Sequence, residues 1–478
     1  MEESLANKTK KGVIWQTLSL LCNSGFTFIV SIILARKLIP SDYGIIAMIT
    51  VFTSVLQIFT DGGLSTALLR KENRTAKDIS TVFFCNFTAC YVIYAIIFIC
   101  APFIADFYNN QDICKITRIF TLSLLISPFY SIPLILLKSK IDFKTKCRVE
   151  VISNVFYAII AITMVYNGWG IWSLIVPSLI AQLITGIQYN IIIKWSPKGG
   201  FSKRSFKELF GYSSKLLVAR VFNKIYANLA PMFIGKYFSP SILGLYERAK
   251  SWPALPSQTL AISFQSVTFP VLSKLQNDRE RLTYSYVRLI KMTAFIIFPL
   301  MIGLASVAKP LTLVVLTETW VESAGLMQLI CLSYMWFPIL LINANLLTVT
   351  GRSDLYLKCE ILKNLIGFLV LISCLPFGVR VYCFFEIIAA YISLVISSFF
   401  ATKIINYSVW RQIREVIPIF LNCCMMGLIS TLALKIAHKE SIQLLLGIVS
   451  GGLYYIVSSR LLFKATFFEA LNLIKSRI

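Results

Sequence analysis

Apolar residues in this chain fall in runs of roughly 20, separated by short stretches rich in Lys and Arg. An α-helix rises about 1.5 Å per residue, so a run of that length crosses a hydrocarbon core about 30 Å thick. Fourteen such runs are expected, beginning near Gly12, Gly44, Ser80, Ile116, Val149, Gly170, Gly211, Leu243, Tyr286, Gly325, Cys359, Val381, Val416 and Ile442. The pattern predicts an all-α polytopic membrane protein of about 14 transmembrane helices. The seventh and eighth runs carry the weakest signal, because the seventh holds Arg220 and Lys224 and the eighth holds Pro253 and Pro256. The stretch from Leu311 to Leu316 is too short to span and is expected at the interface, just before Glu318, Trp320 and Glu322.

Composition agrees with this reading. Of 478 residues, 57% are hydrophobic and only 14% charged, which excludes a disordered chain, a small disulfide scaffold and an ordinary soluble enzyme. The net charge of +24 would suggest nucleic acid in a soluble protein. Here the basic residues lie between apolar runs, so they read as orientation signals and no nucleic-acid partner is expected. With both termini in the cytoplasm, Lys and Arg favour the inner segments by about three to one. Lys8, Lys10 and Lys11 precede the first run, which reads as a transmembrane helix rather than a cleaved signal. The 12 cysteines include no CxxC pair and fall mostly inside apolar runs, so they read as small buried hydrophobes, with no disulfide framework and no metal site expected. There is no P-loop, and hence no ATP hydrolysis by this chain.

The chain also resembles itself. At an offset of 200, Arg36 pairs with Lys236, Pro40 with Pro240, Ser41 with Ser241 and Gly44 with Gly244. At an offset of 210, Arg148 pairs with Lys358, Glu150 with Glu360, Asn154 with Asn364 and Gly168 with Gly378. A six-helix unit duplicated in the same orientation is expected, giving two lobes about a pseudo-twofold axis along the membrane normal. The expected division is 1–200 for the first lobe, 201–408 for the second and 409–478 for two additional helices.

Several segments resemble a known family: LARKLIPSDYGIIAM after the first run, TDGGLSTALLRKEN after the second, then GWGIWSLIVPSLIAQLI, LGLYERAKSWPALPSQ and LLTVTGRSDLYLKCEILKN. Over roughly residues 5 to 410 the chain is similar to the polysaccharide repeat-unit flippases, the Wzx type of the multidrug/oligosaccharidyl-lipid/polysaccharide exporter superfamily. The resemblance implies a carrier with no catalytic centre. It would move undecaprenyl-pyrophosphate-linked oligosaccharides from the inner to the outer leaflet of a bacterial plasma membrane by alternating access. It also implies a lipid-facing groove on the last two helices for the polyprenyl tail. Membrane lipids and other polysaccharide-assembly membrane proteins are the remaining expected partners.

Charges inside the spans are the candidate site. Arg220 and Lys224, at i and i+4, share one helix face about 13 and 20 Å along the seventh run. A charge near the midplane costs about 2.5–3.5 kcal/mol on insertion scales, so it needs a partner. That partner is either an anionic pyrophosphate, matched by a guanidinium fork and an ammonium point charge, or a carboxylate in a structural ion pair. No cofactor is expected beyond a proton or sodium gradient, with Asp61 and Glu386 as candidate coupling groups and helix-end or interfacial roles as their alternatives. Glu150 and Glu360 lie at the expected cytoplasmic mouths, as solvated ends or as a gate. Arg36 and Lys236 lie in matching outer loops, as an outer gate or as ordinary loop charge. Gln16, Asn23 and Thr27 on the first run, and Asn343 and Asn345 on the tenth, either bond between helices or line a sugar cavity.

Two other classes fit the composition. A membrane enzyme of polysaccharide synthesis, polymerase-like or ligase-like, would need larger or more acidic outer loops than the short Arg36–Tyr43 segment, and the only histidine, His438, falls in an outer loop. A drug or cation antiporter of the same fold would need an acidic cleft, whereas Arg220 and Lys224 are basic.

Overall fold

The computed structural model describes residues 5–71, 73–140, 142–405 and 407–475; the side chains of Gln16 and Asp61 lie outside the described part. The described chain is helical, with no strand. It divides into two compact units, residues 1–244 and 245–478.

The first unit contains α1 (Leu5–Ala35), α2 (Pro40–Asp61), α3 (Leu64–Arg70), α4 (Ala76–Phe107), α5 (Asp112–Phe120), α6 (Leu122–Ile126), α7 (Pro128–Ser139), α8 (Phe143–Tyr166), α9 (Trp172–Ile193) and α10 (Lys203–Tyr237). The boundary falls within α11 (Pro240–Lys274). The second unit continues with α12 (Arg279–Ser306), α13 (Ala308–Val315), α14 (Val321–Tyr334), α15 (Phe337–Val349), α16 (Ser353–Cys374), α17 (Val379–Thr402), α18 (Val409–Leu434), α19 (Glu440–Leu462) and α20 (Lys464–Lys475).

Among the described residues, ten helices are long and apolar enough to cross a membrane, or eleven if the bent pair 112–139 counts as one span. That pair turns by 44° ahead of Pro128, whose ring leaves no N–H for the helical ladder. The other expected spans coincide with α1, α10 and α11. The described apolar part of α1 is Cys22–Ala35. Both α10 and α11 run for 35 residues, but Lys and Arg interrupt their apolar character. The chain is a multi-pass, all-α membrane protein.

Polar residues at the segment starts explain where the helices begin. Thr75 and Asp78 form a reciprocal capping box at α4, and the side chains of Asp142, Ser202, Asp278 and Ser408 accept a first-turn N–H at α8, α10, α12 and α18. In the first unit, α1 packs along α8, α8 along α9, and α10 against α2, α3 and α4. In the second, α18 lies between α12 and α19, and α17 contacts α14, α15 and α16. The short stretch at 311–316 forms part of α13. Trp320, just after it, is fully buried, with the Arg248 guanidinium 5.9 Å from its ring centroid.

Candidate functional site

The α2–α3 turn positions the first cation. Gly62 and Gly63 both take left-handed backbone angles, φ 55° and 74°, which end α2 and restart the chain as α3. A Cβ on Gly63 would lie 3.1 Å from Ser213 Cβ, so the turn seats α10 closely. Thr66 on α3 then meets Arg220 on α10, whose Nη2 donates to Thr66 Oγ1 at 3.2 Å. Arg220 is exposed and Lys224, one turn on, is half-buried. Among the described residues no carboxylate pairs with the Lys224 ammonium. Nearer the start of α10, Lys71 bridges Glu208 at 3.0 Å and Asp78 at 3.1 Å. The Glu208 carboxylate, accepting its hydrogen bond, holds the Lys71 ammonium above the ordinary lysine range. The α2–α3 turn, α4 and α10 therefore form one framework behind the two cations.

Glu150 is not a solvated helix end. Its Oε2 accepts from Ser19 Oγ at 2.6 Å and from Asn23 Nδ2 at 2.7 Å, and its Oε1 lies 3.2 Å from Lys146 Nζ. Asn154 donates in turn to Asn23 Oδ1 at 2.7 Å. This network ties α1 to α8, and Ser153 extends it to Thr185 and Gln188 on α9. Asn23 is thereby placed in interhelical bonding. Glu360 stands as far into α16 as Glu150 does into α8, but its partner is local, Lys363 at 2.5 Å. We expect Glu150→Leu, which strands two amide or hydroxyl donors and an ammonium, to cost about 2 kcal/mol of stability. Glu150→Gln, still an acceptor, should cost less than half as much. Thermal unfolding of the two variants checks the order.

In the second unit Glu386 on α17 is half-buried, and its Oε2 is shut from solvent with no hydrogen-bond partner among the described residues. The nearest influence on it is the Lys250 ammonium of α11, which also pairs with Glu247 at 3.6 Å. Tyr334 on α14 stands within electrostatic reach of all three charges. The role of Lys250 and Glu247 was missed in the sequence, although their spacing of three inside an expected span was the available signal. Below this cluster, Tyr286 Oη meets Asn343 Oδ1 at 2.6 Å, and Asn343 Nδ2 donates to Ser397 Oγ at 2.8 Å. Asn345 donates to Thr268 at 3.2 Å. Both asparagines therefore bond between helices. Asn343→Leu should lower stability by about 2 kcal/mol, since Ser397 loses its buried donor and Tyr286 the shorter of its two contacts. A melting temperature equal to wild type would show that the network relaxes without cost.

Lys236 donates to the Phe107 carbonyl and sits 4.7 Å from the Phe107 ring centroid, whereas Arg36 is exposed. Beside them, the repeated Pro-x-x-x-Gly segments meet. A Cβ on Gly44 would lie 1.7 Å from the Pro240 carbonyl oxygen, and one on Gly244 would lie 1.9 Å from that of Pro40. Asp61, the other candidate coupling group, has its side chain outside the described residues. Among the described residues no group of three or more His, Cys, Asp or Glu is placed to hold a metal, and all 12 cysteines are free.

These polar networks and the two α10 cations belong to an all-α, multi-pass membrane fold. Its backbone is similar to that of the lipid II flippase MurJ in an inward closed conformation, with a TM-score of 0.75 at 17% identity, covering 95% of this chain and 99% of that one. An inward-facing multidrug resistance MATE transporter of the MOP superfamily follows at 0.61 and 11% identity, covering 87% and 98%. The profile of the polysaccharide biosynthesis protein family matches residues 33–325, and the chain belongs to that family. The teichuronic acid biosynthesis protein TuaB of Bacillus subtilis is 24% identical over 464 residues, 95% of each chain. The lipopolysaccharide biosynthesis protein WzxC of Escherichia coli is 20% identical, covering 76% of this chain and 74% of its own.

Proposed function

We propose that the chain is a Wzx-type flippase, a carrier and not an enzyme. Its cargo is an undecaprenyl-pyrophosphate-linked polysaccharide repeat unit, moved from the cytoplasmic to the outer leaflet of the bacterial plasma membrane by alternating access. Both termini are cytoplasmic in this reading. A polysaccharide precursor is the cargo class suggested by relatives named for teichuronic acid and lipopolysaccharide biosynthesis.

The observation that carries the proposal is the pair of cations on α10. Lys224 has no carboxylate partner among the described residues, and Arg220 holds an exposed guanidinium against a hydroxyl. A pyrophosphate matches such a pair in charge and geometry. The guanidinium fork binds two phosphate oxygens side by side, and the ammonium adds a point charge one turn away. Energy from a proton or sodium gradient would enter through Glu386, whose Oε2 is enclosed and has no hydrogen-bond partner among the described residues.

The test is leaflet exposure of a labelled undecaprenyl-pyrophosphate oligosaccharide in proteoliposomes holding the full chain, with mass analysis of the recovered lipid. Movement of an unaltered lipid supports the carrier. A lipid of changed mass would instead establish an enzyme of polysaccharide synthesis, and efflux of a cationic dye without lipid movement an antiporter.

A further inference from the structure

The second unit contains a cavity of about 470 Å³ among α12, α15, α17 and α18, within the range of ligand-binding pockets. Its walls are almost wholly apolar. Trp336, Tyr391 and Phe420 form its aromatic end, with ring centroids 5.0 Å apart for Trp336–Tyr391 and 6.3 Å for Trp336–Phe420. Val395 on α17 and Ile417 on α18 form its mouth and are 48% and 40% exposed. Both helices are membrane spans, so the mouth is continuous with the bilayer interior rather than with water. Such a void left empty would forfeit the dispersion contacts of its whole lining.

The other end is polar. Gln412, near the start of α18, is only 5% exposed and lines the cavity. Its Oε1 lies 3.1 Å from the Tyr286 hydroxyl, which also meets Asn343 Oδ1 at 2.6 Å. One hydroxyl carries one proton, and the shorter contact takes it. Gln412 must then turn its NH₂ to the Tyr286 oxygen, which strands its carbonyl, or keep its carbonyl there, which strands Nε2. In either orientation one buried polar atom has no partner, which is costly to leave so. Eight residues of helix separate Gln412 from Phe420, about 12 Å of apolar channel running inward from that polar atom.

We propose that this cavity holds one acyl chain of a membrane phospholipid, entered between α17 and α18, with its polar end at Gln412. The chain restores the contacts of the aromatic end, and the glycerol end or a water carried with it meets the amide. The site is separate from the α10 cations and does not depend on the transport reading.

The full-length protein, reconstituted in phosphatidylethanolamine and phosphatidylglycerol and then transferred to detergent, is examined by native mass spectrometry. Wild type should retain one phospholipid. Val395→Trp, which fills the mouth from the lipid side, should lose it. A wild type without bound phospholipid, a variant that keeps it, or a retained polyprenyl lipid in its place would each overturn the proposal. Should Val395→Trp not fold, phospholipids brominated along the acyl chain give a second readout. They should quench a component of wild-type tryptophan fluorescence that is missing in Trp336→Phe, and equal quenching in both proteins would overturn the assignment.

Discussion

Arg220→Ala/Lys224→Ala is expected to lower the rate of lipid-linked oligosaccharide exposure by roughly 100-fold while leaving the protein folded. Each charge-assisted hydrogen bond to phosphate is worth about 1.5–3 kcal/mol, so losing two contacts removes at least about 3 kcal/mol of binding to the head group. Stability should change little. Arg220 is exposed, and its bond to Thr66 contributes about 1 kcal/mol. Arg220→Lys should recover only part of the rate, because an ammonium cannot span two oxygens. Thr66→Val separates binding from positioning: it leaves both charges but releases the guanidinium from its hydroxyl, so the rate should fall by less than in the double variant. A double variant that moves lipid at the wild-type rate would show that the two cations are structural.

Gly44→Ala should destabilise the protein by about 3 kcal/mol or more, against the usual rule for helices. Replacing a helical glycine by alanine ordinarily gains up to about 1 kcal/mol through propensity. Here the added carbon would sit 1.7 Å from the Pro240 carbonyl oxygen and 2.5 Å from its carbon. Both obstacles are backbone, so no side-chain rotation relieves them, and the first turns of α2 and α11 must separate. Gly244→Ala meets the Pro40 carbonyl at 1.9 Å in the same way, and its cost should be similar. Gly452→Ala in α19, with nothing within 4 Å of its Cβ, is the matched control and should be neutral or slightly stabilising. Melting temperatures of the three variants in one detergent decide the matter. A Gly44→Ala protein as stable as Gly452→Ala would mean that the two turns do not meet in solution.

The sequence carried the membrane class, because the length and apolarity of a span are local properties. The helices α4, α8, α10 and α12 start four to eight residues ahead of the apolar runs at Ser80, Val149, Gly211 and Tyr286, because Thr75, Asp142, Ser202 and Asp278 cap polar first turns that hydropathy does not mark. The sequence singled out the α10 cations as charges in a costly place, and Glu150 and Glu386 as candidate gating or coupling groups. It did not show what those charges touch. Asn23 and Glu150 are 127 positions apart and meet only because α1 lies along α8. The neighbours of Glu386 were hidden for the same reason: its distance from the helix start is local, whereas its proximity to Lys250 on α11 and Tyr334 on α14 is not.

Hydropathy and charge order along the chain thus determined that this protein is a bundle of membrane-spanning helices, because water and lipid sort each segment by its own composition. The paired Pro-x-x-x-Gly segments were also visible, but only as a repeat. Tertiary structure alone decided that those glycines press on each other's proline carbonyls, that Glu150 closes a network across α1 and α8, and that Gln412 faces an apolar cavity with one polar atom unpaired. Such contacts depend on which helix faces meet, and packing sets that through the shape of every neighbouring side chain at once.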